Sequence, residues 1–177
     1  MKKVRLTILA VVASIFASSA SAFDPDDLQK LKDTITCWQC NLSGVDLSSA
    51  DLRGAMLEGA DLSNANLKGA NLGGAYLEGA NLTNAYLGEV TLKYADLEGA
   101  NLFSADLEGA NLEKAYLLRA NLEKANLYNA NLLRANLKGA DLGGANLKGA
   151  MLWYAIMRGA ILCNTIMPNG SVEYSGC

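Results

Sequence analysis

The sequence predicts an all-β solenoid, and three observations carry that expectation. From Leu42 to Met167 every fifth residue is leucine except Met157 and Met167, with no insertion anywhere in the run. Two residues before each of these positions, 50 to 160 are alanine with the single exception of Val90. Two residues after those from Leu42 to Leu162 stand twelve of the 17 glycines, from Gly44 to Gly159, and four asparagines: Asn64, Asn84, Asn129 and Asn164.

A period of five excludes the two regular elements. In an α-helix five residues turn through about 500°, so successive leucines would point about 140° apart and form no apolar stripe. In a straight strand an odd period sends alternate leucines to opposite faces. What remains is a short extended segment with Ala and Leu pointing in, then a corner in every pentad. Gly and Asn accept the positive φ that such a corner needs. The unit reads Ala-(Asn/Asp)-Leu-x-x, as in Ala100-Asn101-Leu102-Phe103-Ser104.

The elements follow in chain order. Lys2, Lys3 and Arg5 precede an apolar run from Leu6 to Phe16 and the small residues Ala20-Ser21-Ala22. That is the pattern of a cleaved secretory leader over residues 1–22, and the apolar run is shorter than the roughly 20 residues a spanning helix needs. The protein is therefore expected in a periplasm, a thylakoid lumen or the medium, with no membrane insertion after cleavage. Residues 23–40 form an N-terminal cap with a C-x-x-C motif. Asp24 suits a helix N-cap, Pro25 the first helical position, and Asp26 and Asp27 the positive end of the helix dipole. Leu28, Leu31 and Ile35 share one side, so a short amphipathic helix is expected to lie over the first coil. Residues 41–167 are the repeat and 168–177 a C-terminal tail.

These repeats resemble the pentapeptide repeat family over about Asn41 to Met167. The flanks Cys37–Ser43 and Leu162–Ser171 look like those of exported members, including cyanobacterial ones. The resemblance implies a right-handed quadrilateral β-helix with about 20 residues to each coil, hence about 6.5 coils. On that period Cys40 and Cys163 lie six coils apart, about 29 Å, beyond the roughly 7 Å a disulfide spans. Cys37–Cys40 and Cys163–Cys177 are the expected pairs, each bracing one end, the second sealing the C-terminal end. Cys37-Trp38-Gln39-Cys40 also matches a redox motif. It follows a helix C-terminus, however, where the dipole disfavours a thiolate, so a structural bridge is expected.

Columns of residues 20 apart then form the outer surface. Glu58, Glu78 and Glu98 share one, a candidate for a divalent cation, although solvated glutamates are the simpler reading. Leu133 and Trp153 share another, with Arg134 and Tyr154 beside it; Tyr116, Leu118 and Ile156 stand on the next wall. This apolar ridge is a candidate interaction patch, and the tail is expected to fold over part of it. Residues 41–110 hold ten acids and three bases, whereas 111–167 hold three acids and seven bases. Such a gradient suits an oriented contact, or drift among repeats on a soluble surface. Asn or Asp precedes the leucine in 17 of 25 pentads, where stacked side chains can hydrogen-bond between coils.

The chain has no histidine, which excludes Ser-His-Asp and Cys-His catalysis and His general bases. No catalytic residue and no cofactor is expected. Some pentapeptide repeat proteins mimic DNA and bind topoisomerases. This chain departs from them in its leader, its basic C-terminal half and its sealed end. The expectation is a non-catalytic exported scaffold, monomeric, whose partner is another protein and not nucleic acid. DNA mimicry and cation binding at the envelope are the alternatives.

Overall fold

The computed structural model describes residues 23–177, so the leader assigned to 1–22 lies outside the described residues. Helix α1 runs Pro25–Thr34. The Asp24 side chain accepts the Asp26 N–H at 2.9 Å, Pro25 opens the first turn, and Ile35 closes the helix in the left-handed region. Leu31 is buried, with Phe23 and Leu28 packed against the core beside it. Two polar ties hold the helix on the first coil. The Asn41 N–H donates to the Asp27 carboxylate at 2.8 Å, and the Asp24 N–H donates to the Asn41 carbonyl at 2.9 Å.

Beyond the helix, the residue before each leucine forms a parallel bridge with the residue 20 positions on, from Thr36↔Met56 to Asn146↔Ile166. One turn therefore consumes four pentads, and the pentads fall into four stacks. Each extended piece is a single bridged residue between corners, so no long strand forms.

The backbone hydrogen bonds explain the repeat unit. In one pentad, the Asn101 N–H reaches back to the Ala80 carbonyl at 2.9 Å, and the Leu102 N–H reaches forward to the Asn121 carbonyl at 2.7 Å. The Ser104 N–H donates to the Glu123 carbonyl at 2.9 Å, and the Ala105 N–H closes the turn onto the Leu102 carbonyl at 3.0 Å. The fifth donor, the Phe103 N–H, goes to the Asn101 side-chain oxygen at 3.2 Å. Such a side-chain turn needs Asn or Asp, so the residue before the leucine does two things. It caps the one N–H the ladder misses, and its amide bridges coils, as in Asn121 to Asn101 at 3.1 Å and Asn126 to Asp106 at 2.9 Å.

Leucine and alanine both point inward and are essentially inaccessible through the middle of the tower; Leu107 and Ala110 are both 0% exposed. All 25 corner positions from Gly44 to Asn164 have positive φ, thirteen of them at residues other than glycine. Glu89, Tyr94 and Arg119 are examples. Tower geometry, not residue choice, sets that conformation.

The C-terminal end corrects one expectation. Strand β1, Thr165–Ile166, pairs antiparallel with β2, Val172–Glu173, and the Leu162 N–H donates to the Ser175 carbonyl at 2.8 Å. The tail therefore covers only the part of the cross-section around Thr165, which is buried, and leaves Leu162 and Met167 partly exposed. Leu152, Ala155, Met157 and Ala160, inward positions of the last full coil, remain partly exposed. The tail is ten residues long and uses its length returning over its own entry point, so the end is not sealed.

Candidate functional site

Two disulfides are present, Cys37–Cys40 and Cys163–Cys177, the pairs expected from the sequence. Cys37 and Cys40 are both buried beneath α1. Among the described residues the one set of three metal-type donors close together is Asp27, Cys37 and Cys40. Its two sulfurs are already bonded to each other.

The glutamate column is aligned as expected. The Gly59 N–H bonds to the Glu78 carbonyl and the Gly79 N–H to the Glu98 carbonyl, both at 2.9 Å. Their carboxylates nevertheless form no converging trio of ligand atoms. Asp96, in the neighbouring column, raises the Glu78 pKa above its ordinary value by repulsion and a shared hydrogen bond, with smaller contributions from desolvation, Glu58 and Glu98.

The apolar patch divides into two. Leu133 and Trp153 are stacked on one face, the Arg134 N–H donating to the Trp153 carbonyl at 2.9 Å. At the corner beside them the Arg134 guanidinium lies 5.7 Å from the Tyr154 ring centroid. Trp153 is 71% and Tyr154 76% exposed, so the tail does not fold over this ridge. It is anchored at Leu162, on a different stack. On the next stack Tyr116 and Ile156 do not meet: Asn136 bridges both and stands between them, about 10 Å of column. Leu118 is half-buried there.

Sequence reasoning missed two features. The first is the half-open end beside Trp153, whose signal lies in a tail too short to cross a whole coil. The second is a groove of about 630 Å³ lined by Asn66, Lys68, Tyr86, Glu89, Asp106 and Glu108. Gly88 opens it by withholding a side chain from a column otherwise occupied by Lys68 and Glu108. Its lining is mixed in charge, and Lys68 pairs with Glu89 at 4.0 Å. No helix among the described residues is long and apolar enough to cross a membrane.

A solenoid of stacked pentads, with its chemistry confined to outer columns, defines a repeat protein of the β-helical class. The family model for pentapeptide repeats matches residues 36–69, 70–109, 105–144 and 130–169. The chain belongs to the pentapeptide repeat family, whose fold is a right-handed β-helix. Among solved structures it is similar to Rfr23 from the cyanobacterium Cyanothece 51142, at 32% identity over 76% of this chain and 92% of that one, with a TM-score of 0.54. It is also similar to HetL, a pentapeptide repeat protein involved in heterocyst differentiation regulation from Nostoc sp. strain PCC 7120. There the identity is 34% over 78% of this chain and 81% of that one, with a TM-score of 0.48. A pentapeptide repeat protein from the Arabidopsis thaliana thylakoid lumen matches at 30% identity over 70% of this chain and 65% of that one, with a TM-score of 0.27. No curated protein sequence matches.

Proposed function

We propose that the protein is an exported, non-catalytic scaffold that binds another protein through the ridge of Leu133, Arg134, Trp153 and Tyr154. In this reading the tower is a quadrilateral β-helix of about 6.5 coils, closed at one end by α1 and left half-open at the other. One observation carries the reading: Trp153 and Tyr154, 71% and 76% exposed, adjoin the partly exposed Leu152 and Met157. Large aromatics beside uncovered core residues form the kind of apolar centre that protein interfaces bury, and Arg134 supplies a polar edge. Export rests on the leader-like residues 1–22 and suits a chain whose four cysteines are all paired.

DNA mimicry draws no support from the surface. A mimic needs acid along its length, and the C-terminal half presents Arg119, Lys138 and Arg158 instead. Cation binding draws none from the glutamate column, which gathers no set of ligands.

Crosslinking capture from native envelope extract tests the proposal, comparing the oxidised protein with a folded Leu133→Ser, Trp153→Ser double variant. Capture of a partner that the double variant loses is the expected result. Equal capture by both proteins, or none by either, overturns the assignment of the ridge.

A further inference from the structure

The stack of pentads centred on Leu57, Leu77, Leu97, Leu117, Leu137 and Met157 presents a second surface, adjacent to the Trp153 ridge and independent of the partner proposed for it. From the N-terminal to the C-terminal end its column after the leucine reads Glu58, Glu78, Glu98, Leu118, Lys138, Arg158. The column before the leucine reads Met56, Tyr76, Asp96, Tyr116, Asn136, Ile156. The charge gradient of the whole chain is concentrated here as an acidic block, an apolar middle and a basic block.

We infer that this face binds a second copy of the chain in antiparallel orientation, about a two-fold axis through the tier of Tyr116 and Leu118. A two-fold axis lying in the plane of the interface sets the two towers antiparallel only when it runs across them, so that every column is set opposite itself and the order of the tiers is reversed. Leu118 then meets Leu118 of the second copy, and Tyr116 meets Tyr116. One tier out, Glu98 meets Lys138 and Asp96 meets Asn136. Two tiers out, Glu78 meets Arg158 and Tyr76 meets Ile156. In these matched tiers every acid finds a base or an amide and every apolar group finds another, while Glu58 and Met56, three tiers out, lie beyond the last tier of the second copy. Arg119, at one corner of the axial tier, meets a like charge, as does Lys114 at the other. Sliding the axis by half a tier would put Glu98 on Leu118 and Asp96 on Tyr116, which removes the match. A parallel pair would set acid on acid.

Three further observations support this face. Tyr76, Tyr116 and Ile156 are about half exposed, at 48%, 53% and 53%, an unusual apolar load for one solvated wall. The column on the far side is glycine at 59, 79, 99, 139 and 159, and a Cβ at Gly79, Gly99 or Gly159 would touch nothing. The face is therefore low there and a flat partner can approach closely. Most telling is what the face gives up. Of the eight pentads that lack Asn or Asp before the leucine, four lie in this stack, at Met56, Tyr76, Tyr116 and Ile156. Each forfeits the side-chain cap on the N–H two residues on, a stabilising contact kept almost everywhere else. The raised Glu78 pKa is consistent with an acidic block that lacks its counter-charge in the single chain.

The matched tiers span only about 20–25 Å of column, so the footprint is below the roughly 800 Å² per partner of a standard interface. The dimer is weak and salt-sensitive, and covalent trapping reads it best. Leu118→Cys places a thiol on the axis. Under mild oxidation the Leu118→Cys protein is expected to form a disulfide-linked dimer that low salt promotes. Glu78→Cys, whose copies lie about 19 Å off register, is expected to stay monomeric alone but to link to Arg158→Cys when the two are mixed. Adding Lys138→Glu and Arg158→Glu to Leu118→Cys should slow linking at least about tenfold. Adding Glu78→Lys and Glu98→Lys as well should restore it, because the pattern is again self-complementary. A Leu118→Cys protein that stays monomeric, or a Glu78→Cys protein that self-links as fast, overturns the proposal. None of these changes touches Leu133 or Trp153, so failure here leaves the partner ridge standing, and loss of the partner ridge leaves this face standing.

Discussion

Ala110→Leu tests the inward placement of alanine most directly. Ala110 is 0% exposed, and so are its column neighbours one coil away on either side, Val90 and Ala130. Both are tied to it through the ladder: the Asn111 N–H donates to the Val90 carbonyl at 2.8 Å and the Asn131 N–H to the Ala110 carbonyl at 2.9 Å. Added methylene groups would gain about 2.4 kcal/mol in all if they entered free apolar space, at about 0.8 kcal/mol each. Ala110 instead lies between two fully buried neighbours, with no open surface to take the larger side chain. Overpacking then reverses the sign and costs about 1–3 kcal/mol. For a chain of this length that lowers Tm by roughly 3–10 °C. Thermal melts of the oxidised protein give the answer, with Glu108→Leu, on the outer surface, as the control for added hydrophobicity. A Tm for Ala110→Leu at or above that of the parent would refute the packing argument, because it would mean that alanine is not there to let opposite walls approach.

Three other perturbations read different parts of the tower. Leu112→Ala, at a 1% exposed position, should cost about 3–5 kcal/mol and Leu152→Ala clearly less, because the partly exposed end coil can relax into the gap; chemical denaturation midpoints check the order. Asn121→Ala removes both the 3.0 Å cap on the Glu123 N–H and the bridge to Asn101, so a loss of about 1–2 kcal/mol is expected, with faster amide exchange at Glu123. Glu78→Gln should raise Tm at pH 7 and have no effect near pH 4. The folded carboxyl titrates above its ordinary 4.5, chiefly because of Asp96, so the proton it holds stabilises the fold at low pH, and that contribution is lost as pH rises through the folded value. Melts in dilute protein at the two pH values measure the difference.

The repeat made most of the fold legible. Period five, the Leu and Ala positions and the Gly-rich corners led to an inward pair and a turn per pentad, and the burial of those positions and the bridges at 20 residues bear this out. Asp24 and Pro25 placed the helix start to the residue. Two things were not legible. Corner conformation at Tyr94 or Lys124 cannot be read from those residue types, because neither favours positive φ; the coil imposes it once ladder bonds on both sides hold the pentad. The path of the tail was not legible either. Pro168-Asn169-Gly170 makes a tight reversal, with the Met167 N–H donating to the Ser171 carbonyl at 2.8 Å, and that local turn sends the chain back along Thr165–Ile166. Only the turn's direction, a tertiary property, decides whether Trp153 is covered.

Where the backbone donors go separates structure from function on the outside. A pentad is self-sufficient when Asn or Asp precedes the leucine, since all five N–H groups are then bonded. A residue such as Tyr76 or Ile156 at that position leaves one donor to water and adds exposed apolar area, so it weakens the tower twice. Scattered singly, such residues would be noise in the repeat. Four of them in one stack, interleaved with an acidic block and a basic block of matching spacing, cost stability in the isolated chain along one line. A surface that lowers stability so locally is one shaped by what it meets, and the opposite ordering of charge about Leu118 specifies a partner with the same surface.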